Sequence, residues 1–418
     1  MQLGAAMVVP KVGVGYSETE DSFLAGQEMA RAALARGGLD SCGLALLFST
    51  CQHKPDALRD GVRSVIGPDA RLAGGWAVGA MCNEQMGYGG FQAGIACFAM
   101  SSSDFSLFRV DGLADREAAA GEELGKQMRA AGADKPDIPK LLLYDSINRL
   151  SGRTKLNMAT PLLAGMRNAI PGLGTLVGAG LVGDMAGQPT FQWFDDDISQ
   201  QSAIALTFSP DIAMHTAILR GASPVGAYHT VTRAEGATIM EVDGRPAVEV
   251  IAELLGGARD PSEFAFHLML GVNQGDPWAP YAEENYSNCM CLRTDLKRNH
   301  IIMFEPELVT GSRFQLMSRR HDFAYIERHV NDLFARIGDE EPFFALYINC
   351  AGRAGAYAGI EDEDAHFVQQ AIHGRAPLLG FYSGVEIGPI QGEPKPMDWT
   401  GLLCLFTARK SNVVKQER

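Results

Sequence analysis

The sequence predicts an α/β fold in which repeated strand–helix–turn–strand units form two sheet-based domains. The main observation is a series of apolar strand, amphipathic helix, glycine-rich turn and second apolar strand that occurs three times. In each copy, an isoleucine at the end of the helix precedes the first glycine of the turn by eight residues. Three copies with the same order of elements indicate repeated α/β units.

The first copy begins with an apolar strand at 45–50 and continues into a helix that ends at Gly67-Pro68. The apolar residues of this helix have the i, i+4, i+7, i+8 spacing of one buried face: Leu58, Val62, Val65 and Ile66. A glycine-rich segment at 74–79 and a second apolar strand at 94–98 complete the copy.

The second copy repeats this helix 104 residues later, with a strand–helix loop that is eight residues longer. Its strands lie at 141–146 and 202–208, and Gly178 and Gly183 take the places of the first copy's glycines. The third copy has its strand at 345–350, and the rest of that copy follows in the same order. Its helix carries Val368, Ala371 and Ile372, its turn begins at Gly380, and its closing strand is the segment 399–406.

Between the second and third copies the sequence changes to short strands and turns. Asp243-Gly244 is a favourable hairpin turn, and 246–255 is predicted to be a helix that ends at Gly256-Gly257. We expect a domain boundary here, which divides the chain into 1–238, with two repeats, and 239–418, with the third.

Composition excludes several classes of protein. The 418 residues carry a net charge of −14 without a basic cluster, which argues against nucleic acid or an anionic membrane as partner. The eight cysteines include no C-x-x-C pair, and Cys289 and Cys291 are interpreted as core thiols. With no signal-peptide or membrane-spanning pattern, we expect a cytoplasmic protein.

Short motifs along the chain occur in an order known from one protein family. They are Val12-Gly-Val-Gly-Tyr-Ser17, Gly221-Ala-Ser-Pro-Val-Gly226, Glu241-Val-Asp-Gly-Arg-Pro-Ala247, Cys350-Ala-Gly-Arg353 and Gly380-Phe-Tyr-Ser-Gly-Val-Glu386. On these motifs the chain resembles the FIST family of bacterial sensory proteins. The resemblance covers almost the whole chain and implies a FIST N-terminal domain at 1–238 and a FIST C-terminal domain at 239–418.

The resemblance implies a stand-alone sensor of a small ligand, such as an amino acid or a similar metabolite. Because no kinase, cyclase or DNA-binding segment is visible, the expected partner is a separate signalling protein such as a histidine kinase or a cyclase. The chain departs from the family pattern at the end of the glycine turn. The third copy keeps the acidic–aliphatic pair as Glu386-Ile387 and the second has Asp184-Met185, whereas the first copy has Ala80-Met81 and an unusual Trp76.

Polar residues at strand ends are candidate ligand contacts, because open α/β sheets bind ligands at the carboxyl ends of their strands. Aligned on the repeat, Ser49, Asp145 and Asn349 are equivalent, and so are Thr50, Ser146 and Cys350. Capping of the following turn is the alternative role, and we favour it for the first copy. For the third copy we predict a ligand pocket formed by Asn349, Cys350, Arg353, Gly380, Tyr382, Ser383 and Glu386.

Within that pocket, Arg353 would bind the carboxylate of a zwitterion and Glu386 its ammonium group. A structural Arg353–Glu386 ion pair is an equally weighted alternative. An enzyme with Cys350 as nucleophile is a further hypothesis, although no motif supplies a base.

Haem is the alternative cofactor, because some relatives in the family bind haem and respond to nitric oxide. The sequence does not say which of nine histidines would be the axial ligand, and no other metal site is indicated. His321 and His329 are predicted on one face of a helix, where a solvated role is favoured. The G-x-G-x-x-G at 178–183 is attributed to the repeat, because a dinucleotide site needs a helix to begin there.

Overall fold

The computed structural model describes residues 9–149, 154–188, 190–257, 260–320 and 322–409. This part of the chain forms three related α/β units and one inserted lobe. The α/β class and the repeated strand–helix–turn–strand units predicted from the sequence are confirmed.

Unit 1 has two helices and six strands. They are β1 (Val12–Ser17), α1 (Ser22–Gly37), β2 (Leu44–Ser49), α2 (Pro55–Ile66), β3 (Arg71–Trp76), β4 (Gly79–Cys82), β5 (Gln85–Tyr88) and β6 (Ala93–Phe98). Asp21 begins α1 because its side chain accepts a hydrogen bond from the backbone N–H of Leu24, and Gly38 ends the helix in the left-handed region. The strand and helix that precede the predicted repeat therefore belong to the unit.

Unit 2 has the same order of elements. They are β7 (Phe105–Asp111), α3 (Glu117–Ala130), β8 (Lys140–Asp145), β9 (Ile147–Asn148), β10 (Lys155–Leu156), α4 (Ala159–Ala169), β11 (Leu176–Leu181), β12 (Gln192–Phe194), β13 (Asp197–Ser199) and β14 (Ser202–Phe208). The longer loop between strand and helix contains the small β9–β10 ladder. Gly178 and Gly180 lie inside β11, and no helix begins after it, so the dinucleotide motif is not formed.

Unit 3 begins with β15 (Ile212–Leu219) and is then interrupted by the lobe. The lobe comprises β16 (Ala222–Glu235), β17 (Thr238–Val242), β18 (Arg245–Pro246), α5 (Ala247–Leu254), β19 (Met269–Asn273), β20 (Tyr286–Asp295), β21 (His300–Met303) and β22 (Arg313–Arg319). Unit 3 resumes with α6 (Ala324–Ile337), β23 (Pro342–Cys350), α7 (Gly355–Ala358), α8 (Asp364–Ile372), β24 (Leu378–Ser383), β25 (Val385–Ile390), β26 (Glu393–Met397) and β27 (Gly401–Ala408). Its first strand thus precedes the boundary predicted at 238/239, which stays a prediction.

The three units exchange hairpins in a closed ring. The β12–β13 hairpin of unit 2 extends the sheet of unit 1, β25–β26 of unit 3 extends that of unit 2, and β4–β5 of unit 1 extends that of unit 3. Each six-stranded sheet therefore contains four strands of one unit and two of its neighbour. Backbone hydrogen bonds join every unit to both of the others, so no unit completes its sheet alone.

The inner faces of the three sheets share one apolar core, and the helices cover the outer faces. Aromatic pairs join the units in this core. Phe48 of unit 1 stacks on Phe381 of unit 3 with ring centroids 3.9 Å apart, and Phe208 of unit 2 contacts Phe406 of unit 3 at 5.1 Å. Burial of this shared surface is the main stabilisation of the ring.

The first glycine of each turn is structurally required. A Cβ atom at Gly74, Gly178 or Gly380 would lie 1.8, 2.2 or 2.7 Å from a carbonyl oxygen of the adjacent parallel strand. These oxygens belong to Leu47, Leu142 and Tyr347. The glycine repeat seen in the sequence therefore marks the closest approach of two strands in each unit.

These contacts correct the alignment of the strand ends in unit 2. Because Leu47, Leu142 and Tyr347 are equivalent, the residues two positions further along each strand are equivalent too: Ser49, Tyr144 and Asn349. Asp145 lies one position beyond Tyr144. Asp145 therefore corresponds to Cys350 rather than to Asn349, and the predicted register is wrong by one residue there. Matching the strands by their polar ends concealed the shift because the following loops differ in length.

The end of the glycine turn also needs a correction. The residues opposite the three glycines, on the exchanged hairpins, are Trp193, Ile387 and Met81. The residues that directly precede these three in the chain are Gln192, Glu386 and Ala80, in the same order. In unit 2, the equivalent of Glu386 is therefore Gln192 and not Asp184. Asp184 lies in the preceding loop, where its carboxylate accepts backbone N–H groups.

All eight cysteines are free thiols in the structure. Cys289 and Cys291 lie in the apolar core of the lobe, which confirms their interpretation as core residues. None of the helices in the described ranges has the length and apolar character needed to cross a bilayer.

Candidate functional site

A cavity of about 440 Å³ lies where units 2 and 3 meet the lobe. Ser146 follows β8, Cys350 and Ser383 end the parallel strands β23 and β24, and the lobe contributes Met290 and Phe304. The cavity is therefore at the carboxyl ends of the strands, the position that the sequence analysis favoured for a ligand. Most of its wall is apolar, so the few polar side chains on it are informative.

Glu305 of the lobe binds the N-terminus of α4 in unit 2. Its carboxylate accepts hydrogen bonds from the backbone N–H groups of Ala159 and Thr160, at 2.7 and 2.9 Å, and from the Thr160 hydroxyl at 2.8 Å. Burial raises the pKa of Glu305 to about 8 despite these three donors. This carboxyl group thus fixes the lobe to the ring and lies on the cavity wall.

Asp398 forms a second contact between ring and lobe. Its Oδ2 accepts a hydrogen bond of 2.7 Å from the backbone N–H of Met290, and its own N–H donates to the carbonyl of Asn288. Burial raises the pKa of Asp398 to about 7. Asp398 and Glu305 therefore line the same cavity from opposite sides of the ring–lobe junction.

Ser383 connects the cavity wall to a third buried carboxyl group. Its hydroxyl donates to Glu386 at 2.8 Å, and the other oxygen of Glu386 accepts the N–H of Thr400 at 3.3 Å. Burial, together with the charge of Asp398, raises the pKa of Glu386 well above its usual range. Burial, followed by the charges of Glu386 and Asp398, also raises the pKa of the Cys350 thiol.

Arg353 is bound by protein groups on all sides. Nε and Nη2 donate to Oδ2 of Asp364 at 2.8 and 2.5 Å, and Nη2 also donates to the Tyr325 hydroxyl at 3.0 Å. Nη1 donates to the carbonyls of Arg220 and Trp399 at 2.7 and 3.1 Å. A guanidinium has five N–H donors, and these five bonds use them all. Arg353 therefore pairs with Asp364, not Glu386, and has no donor left for a ligand carboxylate.

The other predicted site residues lie in the packed interior. Asn349 donates to Asp364 at 2.9 Å, Tyr382 donates to Glu363 at 3.3 Å, and Gly380 packs against Met81 of the exchanged hairpin. Of the seven predicted residues, only Cys350 and Ser383 line the cavity. The structure places Asn349, Arg353, Gly380, Tyr382 and Glu386 behind its wall, and a ligand contact by Cys350 or Ser383 stays a prediction.

The sequence analysis missed Glu305 and Asp398. Glu305 follows a short strand of the lobe, and Asp398 lies in the turn before β27, so neither follows a strand of the recognised repeat at its carboxyl end. The one available signal was an acidic residue between apolar segments, which is common on protein surfaces. Only the fold of the lobe onto the ring makes these carboxyl groups buried.

Of the two histidines predicted on one helix face, the structure describes only His329. His321 lies outside the described residues. His329 lies on α6, and its Nε2 is 3.4 Å from the Glu283 carboxylate of the lobe. The hydrogen bond to Glu283 raises the pKa of His329. No three His, Cys, Asp or Glu side chains are grouped to hold a metal ion in the described ranges.

Two models of one protein family match this chain. The family model described as FIST N domain matches residues 43–245, and that described as FIST C domain matches 247–389. An uncharacterised protein of Mycobacterium tuberculosis (strain CDC 1551) is 27% identical over 250 residues, 59% of this chain and 64% of that protein. One of Mycobacterium bovis is 26% identical over 238 residues, 56% and 61% of the two chains. The matched region thus spans just under two thirds of these relatives.

Among solved structures, the chain is similar to a cyanuric acid hydrolase from A. caulinodans, with 11% identity and a TM-score of 0.36. A second cyanuric acid hydrolase gives 10% identity and a TM-score of 0.31. Each alignment covers 96% of this chain and 100% of the other. At these scores neither activity nor site geometry is carried over.

Proposed function

The chain belongs to the FIST family, and we propose that it is a cytoplasmic sensor that binds a small ligand in the cavity between ring and lobe. The cavity itself carries the proposal: about 440 Å³ enclosed by apolar side chains, with buried carboxyl and hydroxyl groups on its wall. This is the usual construction of a small-molecule site. The output would pass to a separate signalling protein, such as a histidine kinase or a cyclase.

The connection between ring and lobe supports a sensing role. The lobe joins unit 3 through two adjacent strands, β16 and β22, and the N–H of Arg320 donates to the carbonyl of Gly221 between them. Gly221 has a φ of 59°, in the left-handed region that favours glycine. A ligand in the cavity would contact ring and lobe together, so its binding would shift the equilibrium between lobe positions.

An amino-acid ligand, the candidate suggested by the sequence, would find no partner for its carboxylate here, because the donors of Arg353 are all used.

Haem does not fit the cavity residues either. The only histidine among the described residues of the wall is His267 at the exposed rim, and three of the polar groups are acidic: Asp184, Glu305 and Asp398. Arg319 is the one Lys or Arg among the described residues of the wall, so the two haem propionates would not both have a cationic partner. We therefore assign no haem to this cavity.

We expect Cys350 to be unreactive in the folded protein. Its thiol is buried and its pKa is raised by burial and by neighbouring carboxylates, the opposite of what a nucleophile needs. Brief alkylation with iodoacetamide followed by peptide mass spectrometry should label the half-buried Cys51 first and leave Cys350 unlabelled until unfolding. Rapid labelling of Cys350 in folded protein would restore the enzyme hypothesis.

The proposed site is tested with a variant that fills the cavity. Leu292 lines the cavity from the lobe, whereas Leu296 lies on an exposed turn of the same lobe. We expect a component of an amino-acid and small-metabolite pool to raise the melting temperature of the wild type and of Leu296→Trp, but not of Leu292→Trp. A ligand at about 100 times its Kd stabilises by about 2.7 kcal/mol.

Two results would contradict the proposal. One is a pool that leaves the wild-type melting temperature unchanged. The other is a shift that Leu292→Trp retains in full, which would place the ligand elsewhere. Chromatography of the pool before and after incubation distinguishes binding from turnover, since a sensor consumes none of its components.

A further inference from the structure

The free polar groups of the cavity point to the charge of its ligand. Arg319 contributes a guanidinium group to the cavity wall. Its Cζ lies 3.6 Å from the centroid of the Trp399 ring, and its Nη2 donates to the carbonyl of Phe266. By contrast, Oδ2 of Asp398 is bonded to Met290, and Oδ1 forms no hydrogen bond with any described residue. The cavity thus holds an acceptor that a cationic group can satisfy.

Ser146 is a second, independent indication of a polar ligand group. Its side chain is 5% exposed and lies on the cavity wall. Its Oγ interacts with the buried Tyr144 hydroxyl but has no partner at normal hydrogen-bond distance and angle. A buried polar atom left unpaired costs about 1–3 kcal/mol. A ligand N–H placed at this end of the cavity would remove that cost.

The remaining wall suits an apolar or aromatic body. Phe266, Phe304, Tyr357 and Trp399 line it. Two of these bulky residues have left-handed backbone conformations, with φ of 60° at Phe266 and 53° at Trp399. Such strained positions concentrate at ligand sites, where the surrounding structure holds a side chain in a required place.

From these features we propose that the cavity binds an organic amine, with a protonated amino group directed at Asp398, a polar hydrogen directed at Ser146 and an apolar body against the aromatic wall. This inference rests on the proposed ligand site. It differs from the amino-acid hypothesis because no free guanidinium is placed for an α-carboxylate.

The test uses three probes with one body and different end groups: 4-phenylbutylamine, 4-phenylbutan-1-ol and 4-phenylbutyrate. Calorimetric titration at about pH 8 keeps Asp398 largely ionised, because its pKa is about 7. We expect the amine to bind at least about tenfold more tightly than the alcohol, and the carboxylate more weakly than both.

Variants then locate the preference. Asp398→Asn should weaken amine binding about tenfold and alcohol binding by much less, since the amide still accepts from Met290 but carries no charge. Asp69→Asn, at an exposed position of unit 1, is the matched control and should bind the three probes as the wild type does.

The outcomes separate this inference from the proposed function. Carboxylate binding equal to amine binding, or an amine affinity that Asp398→Asn leaves unchanged, overturns the amine inference while the cavity remains a ligand site. Amine binding that persists in Leu292→Trp places the probe outside the cavity and overturns the inference. If none of the probes binds at millimolar concentration, the amine inference fails, and the metabolite-pool experiment alone decides the proposed function.

Discussion

Arg353→Ala is expected to lower the free energy of unfolding by about 3–5 kcal/mol, the usual cost of removing one partner of a buried ion pair. The substitution leaves the carboxylate of Asp364 buried without its cation, and two carbonyl groups and the Tyr325 hydroxyl lose their donor. Arg353 is 4% exposed and Asp364 1%, so water cannot replace these bonds without local opening. Urea denaturation monitored by circular dichroism measures the change.

Matched variants separate a structural role from a ligand role for Arg353. Arg353→Lys should recover little stability, because one ammonium group cannot reproduce the planar set of five donors. Arg245→Ala removes the exposed ion pair with Glu253 and should cost at most about 1 kcal/mol. An Arg353→Ala protein with wild-type stability and weakened ligand binding would instead support the ligand contact that the sequence suggested.

The sequence predicted the repeated unit because its signals are local. Helix periodicity, the Gly67 stop and the close approach at Gly74, Gly178 and Gly380 all depend on residues near one another in the chain. The exchange of hairpins has no such signal. It is decided by which sheet edge each short strand meets, which depends on the packing of all three units.

The site was predicted less completely for the same reason. The strand-end rule pointed to the edge of the sheets where the cavity lies, and it named Ser146 and Cys350, which line the cavity. Ser383, predicted from the glycine turn, lines it as well. The partner of Arg353 could not be chosen from the sequence, since Asp364 and Glu386 are both acidic and both belong to the same repeat unit as Arg353. The position of each carboxylate in the fold decided the outcome, because Asp364 faces the guanidinium of Arg353 whereas Glu386 is bound by Ser383 and Thr400.

Stability is expected to fall as pH rises from about 5 to about 7.5, mainly through the buried carboxyl groups at the ring–lobe junction. Glu305 has a pKa of about 8 when folded and about 4.3 when unfolded, so the folded state binds more protons throughout this interval. Stability therefore decreases with pH by up to about 1.4 kcal/mol per unit for this group, and Glu305 alone accounts for about 2–3 kcal/mol.

Other groups change stability in the same direction. Burial raises the pKa of Asp398 to about 7 and that of Asp145 to about 6, and the bond to Glu283 raises the pKa of His329. Their stabilising contributions are complete at pH values below the unfolded pKa of each group and are lost as pH rises through the folded one. The wild-type profile is thus a sum, and variants are needed to isolate the share of Glu305.

Glu305→Gln isolates that share because the amide is close in shape to the protonated carboxyl group and does not titrate. Between pH 5 and 7.5, we expect the unfolding free energy of the variant to fall by about 2–3 kcal/mol less than that of the wild type. Urea denaturation at each pH measures this difference. Glu263→Gln, at an exposed position of the lobe away from this junction, is the control and should keep the wild-type slope. An unchanged slope in Glu305→Gln would show that the Glu305 carboxyl group is already ionised in the folded protein near pH 5, held by the N-terminus of α4.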